Sequence, residues 1–333
     1  MPVSLRFHDE AVAAQTHVNL SAVHAFADTL WIAGDETATI ERLRRTGKTE
    51  YGEHTSFGLA DFVRLPGDPD EEVDIEGMAL VDGYLWVVGS HSAKRKKPKE
   101  GHSDDKIAKR LGTVSAEPAR RLLARLAIEQ DRPVRRAADG RCSLALGKPT
   151  VFDAIAEDPH LGPFVTIPSK DNGLDIEGIA VHGQRVFLGL RGPVLRGWAC
   201  VLQLEPRAEQ DRLKLGKLDG SRYAKHFLDL DGLGVRDLCE DGEDLLVLAG
   251  PTMDLDGPVR VYRWRGAARL EAADVVPAEE LERVLDLPYG EGTDHAEGIT
   301  LLADRELLVV YDSPDRERLR IPGTVLADVF AVP

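Results

Sequence analysis

Residues 74–90 read DIEGMALVDGYLWVVGS, and this stretch decides the fold. An apolar run from Ile75 to Val81 meets the pair Asp82-Gly83, and a second apolar run from Tyr84 to Gly89 follows at once. Such a pair between two apolar runs specifies a β-hairpin, because its turn needs positive φ, which Asp and Gly tolerate. Four further segments superpose on it: LSAVHAFADTLWIAGD (20–35), IEGIAVHGQRVFLGLR (176–191), VRDLCEDGEDLLVLAG (235–250) and AEGITLLADRELLVVYD (296–312). With the first copy counted from Ile75, the second residues of the five segments are Ser21, Glu76, Glu177, Arg236 and Glu297, at intervals of 55, 101, 59 and 61 residues. That spacing fits four-stranded blades and predicts an all-β propeller over residues 1–333, with five blades preferred and six as the alternative.

Runs such as LWVVG and LLVLAG suit inner strands covered on both faces by neighbouring blades. Weaker strands complete the blades, among them WACVLQLEP and AKHFLDLD after the third hairpin and VRVYRW and LERVLDLP after the fourth. Only TVLADVFAV follows the last hairpin, so VSLRF near the N-terminus is expected to close the ring. The long interval is read as a charged loop insertion, residues 93–117, within the second blade; a degenerate sixth blade is the alternative.

Composition limits the function classes. A formal net charge of −15 repels a phosphate backbone over most of the surface and disfavours general nucleic-acid binding. The N-terminus lacks an apolar signal core and no run approaches the roughly 18 apolar residues of a membrane span, so a soluble, cytoplasmic protein without membrane association is expected. Cys142, Cys200 and Cys239 show no CxxC spacing and read as reduced fillers of apolar space. Trp31, Trp86, Trp198 and Trp264 fall in strands and read as packing residues.

In a propeller the inner strand of each blade starts, and the second strand ends, at the same channel mouth. The first ends carry Ser21, Glu76, Glu177, Arg236 and Glu297; the second ends carry Asp35, Ser90, Arg191, Gly250 and Asp312. His91 and His295 adjoin them. Two readings of the glutamates stand side by side. Either they pair with Arg191 and Arg236 and hold blades together, or they face one channel and need a neutralising partner. A divalent cation such as calcium is one such partner, with Glu76, Glu177 and Glu297 as its ligands, since calcium takes 6–8 oxygens at roughly 2.3–2.6 Å. Arg236 speaks against the cation, because a guanidinium neutralises the same carboxylates.

The basic run Lys94, Arg95, Lys96, Lys97 and Lys99 is either a solvated loop or, with Lys170, Arg191, Arg196 and Arg236, a flexible lid that attracts a small anionic ligand. The adjacent pairs Ser90-His91 and Asp312-Ser313 invite a nucleophile reading, but no GxSxG elbow is present.

On DIEGMALVDGYLWVVGSHS, KDNGLDIEGIAVHGQRVFLGLRGPVLRGWA, VRDLCEDGEDLLVLAGP and the closing EGI with LLVVYDSP, the chain resembles the bacterial family known as domain of unknown function 3616. A more distant similarity is to calcium-dependent gluconolactonase and paraoxonase propellers and to propeller phytases. In the gluconolactonase group, a Glu-Gly pair opening an inner strand supplies a metal ligand. That resemblance implies such a role for Glu76-Gly77, Glu177-Gly178 and Glu297-Gly298; no Asn or Asp ligand set matches, and Arg236 intrudes. Residues and resemblance together lead to the expectation of a hydrolase acting on an anionic small molecule, a phosphate ester or lactone. Glu76, Glu177, Glu297, His91, His295 and Asp312 are its candidate catalytic residues, and Asp35, Ser90, Lys170, Arg191, Arg196 and Arg236 its ligand-binding ones. The alternative is a non-catalytic ligand sensor or protein-interaction scaffold.

Overall fold

The computed structural model describes residues 1–68, 71–253 and 255–333. The fold is all-β and propeller-like. Each of the five repeats is an antiparallel hairpin, whose first strands are Leu20–Phe26, Ile75–Val81, Asp175–His182, Gly234–Asp241 and His295–Leu301. We call these the first to fifth inner strands. The third hairpin continues through Arg185–Leu195, Trp198–Leu204 and Ala224–Asp229, and the fourth through Asp244–Gly250, Val259–Trp264 and Leu281–Leu287. These are the weaker strands expected from the sequence. Pro2–Arg6 pairs antiparallel with Thr324–Ala331 and makes a short parallel pairing with Glu50–Gly58. The first and last hairpins therefore share one eight-stranded sheet.

Five apolar clusters fill the spaces between successive hairpin units. Trp31, Ile40 and Phe57 meet Ile75, Met78 and Leu85 in one, and Phe187, Val201 and Leu228 meet Val247 and Tyr262 in another. Leu20, Ile32 and Leu43 meet Leu308, Val310 and Val325 in a third, which joins the first unit to the last. Each side chain of this size contributes about 1.5–3 kcal/mol when fully buried. Trp31, Trp86 and Trp264 lie in these clusters as expected, and Cys200 and Cys239 are buried free thiols.

Segment 93–117 differs from the expected irregular loop. Ala93–Arg95 pairs with Val114–Ala116, and a helix, Asp104–Leu111, lies between them. Asp104 and Asp105 in its first turn and Lys109 and Arg110 in its last complement the helix dipole, which explains why so charged a stretch is helical. No residue of this helix is buried. The strands that complete the second unit, Leu123–Glu129 and Arg132–Val134, follow the segment. Among the described residues no helix is long and apolar enough to cross a membrane.

Candidate functional site

The repeat position that carries the chemistry is a β-bulge in all five inner strands. Ile75 faces Gly89 and Gly77 faces Val88, so Glu76 is the extra residue. The same slip isolates Glu177 between Ile176 and Gly178, Arg236 between Val235 and Asp237, Glu297 between Ala296 and Gly298, and Ser21 between Leu20 and Ala22. A bulge leaves its residue outside the pairing and re-aims the side chain. Five bulges at one level thus turn five side chains toward a common region.

At four of the bulges the residue that follows, and at the first the bulge residue itself, holds the inner strands together. A Cβ on Gly77 would stand 2.9 Å from Ile179 N, and one on Gly178 would stand 2.8 Å from Asp237 Cα, so glycine is required for this close approach. The fourth strand has Asp237 there instead, and its Oδ2 accepts a 2.8 Å hydrogen bond from Ile299 N of the fifth. A Cβ on Gly298 would stand 3.1 Å from Val23 N of the first strand, whose Ser21 hydroxyl donates to Ile75 O of the second. Each inner strand thereby meets the next, and the fifth meets the first.

Above the bulges lies a cavity of about 350 Å³. Seven of the residues selected from the sequence line it: Asp35, Glu76, Lys170, Glu177, Arg191, Glu297 and Asp312. Lys94, Arg95 and Lys97 of the basic segment do too, with Arg120, Asp74 and Asp175. Arg236 sits beside the cavity, where Nη1 bonds Glu297 Oε1 at 2.7 Å and Glu177 Oε2 at 3.3 Å. Arg191 grips the other oxygen of Glu177 at 2.7 Å and also Asp175. Arg120 binds Asp74, Glu72 and Glu117. Among the described residues, Asp35 and Glu76 form no ion pair.

Burial pushes the carboxyls of Asp74, Glu76, Asp175, Glu177 and Glu297 above the ordinary range, Asp175 to about 7. Arginines oppose this rise at four of them. At Glu76 burial is reinforced by Asp74, Glu177, Glu297 and Asp175, while Arg191 acts on it without forming an ion pair. Asp35 is alike: burial, then Glu297 and Asp312, push it up to about 8, and among the described residues its buried Oδ1 has no hydrogen-bond partner.

Other expected site residues lie elsewhere. Arg196 occupies the exposed turn between two strands at φ 51°, because the second strand of the third hairpin runs on past Arg191 to Leu195. His91 is buried at φ 57°, its Nδ1 bonded to Gly89 O at 2.8 Å, and burial lowers its pKa to about 4. Ser90 is buried beside Ser92, 2.9 Å between hydroxyl oxygens. Neither reaches the cavity. His295 lies on an adjoining crevice with Asp256 at 3.3 Å, and 4.0 Å from Asp312. Asp74, Asp175 and Arg120 were missed by the sequence reading. The two aspartates open the Asp-Ile-Glu-Gly motif itself, so their presence in both copies was the available signal.

The donor set does not fit a metal. Glu177 spends both oxygens on guanidiniums and Glu297 one, and among the described residues no three His, Cys, Asp or Glu side chains are placed to hold an ion. A larger cavity of about 630 Å³, lined by Phe62, Leu65, Leu144 and Arg212 among others, contains none of the selected residues.

Residues 19–328 match the family described as "Protein of unknown function (DUF3616)", and the chain belongs to that family. No curated protein matches it. Solved structures similar to it include glutaminyl cyclase of Myxococcus xanthus, at 8% identity, with 99% of this chain and 95% of that one covered and a TM-score of 0.43. The PQQ-bound aldose sugar dehydrogenase of Streptomyces coelicolor matches at 12% identity, covering 99% and 98%, with a TM-score of 0.39. A putative 6-phosphogluconolactonase of Bacteroides uniformis matches at 12% identity, covering 86% of this chain and 62% of that one, with a TM-score of 0.34.

Proposed function

We propose that the chain is a hydrolase of a small anionic molecule, a phosphate ester or lactone, working by acid–base chemistry in the cavity above the bulges. The observation that carries this reading is the placement of an unpaired buried carboxyl, Glu76, in the same cavity as arginine-held carboxylates and the basic segment. A carboxyl that burial and neighbouring acids push well above its ordinary range favours its protonated form and can donate that proton to a leaving oxygen, as a general acid. Glu297, whose Oε1 is held by Arg236, supplies an ionised oxygen that takes a proton from the attacking water. Lys94, Lys97 and Lys170 supply positive charge for the anionic group.

The scaffold we infer for this site is one five-bladed propeller over residues 1–333, closed by Pro2–Arg6, with segment 93–117 inserted in the second blade. Support comes from the apolar clusters between successive units and the strand-to-strand contacts. The free thiols support placement in the cytoplasm.

Screening alkyl phosphates, aryl phosphates and lactones for turnover, with and without added calcium, tests the reading. Turnover by the native protein that is lost in Glu76→Gln, with an unchanged melting temperature, is expected; no turnover of any of them overturns it. A sensor without catalysis is the second reading, favoured by the guanidinium clamps that hold Glu177 and Glu297. It predicts binding without turnover.

A further inference from the structure

The cavity is electrically two-sided. The second and third hairpin units, with the segments around them, bring carboxylates that are already matched: Asp74 by Arg120, Asp175 and Glu177 by Arg191. The first and fifth units bring Asp35, Glu36 and Asp312 to the same cavity with no cation among its lining residues from those units. Among the described residues, Asp35 and Glu36 form no ion pair, and Asp312 has only His295 at 4.0 Å. Glu76 stands between the halves and likewise forms no ion pair among them. Among the described residues the buried Oδ1 of Asp35 has no hydrogen-bond partner.

A carboxyl oxygen kept away from water without a donor costs about 1–3 kcal/mol, so a donor supplied by the ligand has much to gain there. The donor set argues against a metal ion, as shown above, and leaves an organic cation. An ammonium group offers three N–H donors to oxygens spread too widely for one ion. Resting on the reading of this cavity as an anion site, we propose that the ligand is dipolar: its ammonium group sits between Asp35 and Asp312, and its phosphate or carboxylate lies toward Lys94, Lys97 and Lys170. A free amino group at one end and an acidic group at the other define an aminoalkyl phosphate or an amino acid derivative.

The test is calorimetric titration of the full chain with ω-aminoalkyl phosphates of two to four carbons, the matched alkyl phosphates, the matched alkylamines and calcium chloride alone. The best aminoalkyl phosphate is expected to bind roughly tenfold to a hundredfold more tightly than its alkyl counterpart. Asp35→Asn and Asp312→Asn are expected to erase that preference while leaving alkyl phosphate binding intact or tighter. Retained alkyl phosphate binding shows that each variant is folded. Alkyl phosphates that bind as well as aminoalkyl phosphates overturn the dipolar ligand and leave the anion site standing. Alkylamines that bind while neither phosphate does overturn the anion site and the dipolar ligand, and leave only a cation site. Calcium binding that Glu76→Gln abolishes overturns the ammonium assignment, and binding by no member of the series overturns both readings.

Discussion

Glu76 and Glu177 occupy the same bulge in two copies of Asp-Ile-Glu-Gly, yet their surroundings are opposite. Glu177 is 3% exposed and clamped between Arg191 and Arg236, whereas among the described residues Glu76 forms no ion pair and is crowded by Asp74, Glu177, Glu297 and Asp175. Identical tetrapeptides therefore yield an arginine-clamped carboxyl in one unit and, in the other, one without an ion pair that burial pushes toward its protonated form. The difference comes from residues outside the motif. Arg191 ends the hairpin of Glu177, and Arg236 is the bulge residue of the next unit. The hairpin of Glu76 ends in Ser90 instead, and Arg120, which lines the same cavity, is taken by Asp74, Glu72 and Glu117.

The strongest way to break this contrast is to remove a clamp. Arg191→Met leaves Asp175 buried without its partner and Glu177 with Arg236 alone, and is expected to cost about 3–5 kcal/mol in urea denaturation. Glu177→Gln removes the charge from two guanidinium contacts and is expected to cost about 1.5–3 kcal/mol. Gly178→Ala sets a Cβ against the backbone of Asp237 and is expected to cost about 1–3 kcal/mol by overpacking, even though Gly178 lies beside an unchanged Glu177. Glu76→Gln, the mirror of the second change, is expected to leave stability at pH 7 within about 0.5 kcal/mol. Denaturation curves measured together rank the four. Equal losses in Glu76→Gln and Glu177→Gln contradict the contrast.

Asp35 sharpens it through pH. Its carboxyl is raised from 3.8 to about 8 in the folded chain, so the fold favours its protonated form. The stability this gives is fully present below pH 3.8 and is lost as pH rises toward 8. Asp35→Asn should therefore flatten the fall in stability between those limits and gain on the native protein most at pH 8. Parallel pH profiles of the two proteins contradict the assignment.

The repeats, their hairpins and the mouth where their ends gather were legible because apolar runs and Asp-Gly turns act over a few residues. Arg191 and the three glutamates were legible for the same reason, since the repeat set their level. Other placements depended on backbone detail that periodicity does not carry. Arg196 falls in a turn because its strand is longer than its counterparts, and His91 adopts positive φ and turns its ring onto Gly89 O. Asp237 was passed over as a site neighbour, yet it replaces the glycine of other copies and binds the next strand with its side chain. The helix at Asp104–Leu111 escaped because its charges order along the dipole and its sequence shows no long apolar stripe.

The five junctions between neighbouring inner strands use four kinds of contact: a bare glycine against a backbone nitrogen at two of them, a glycine against an α-carbon, an aspartate side chain on an amide, and a hydroxyl on a carbonyl. The units are thus copies in shape but not interchangeable parts. A chain in which two of them were swapped would keep its apolar pattern and lose its matching seams, so their order is written into the seams as firmly as into the chain.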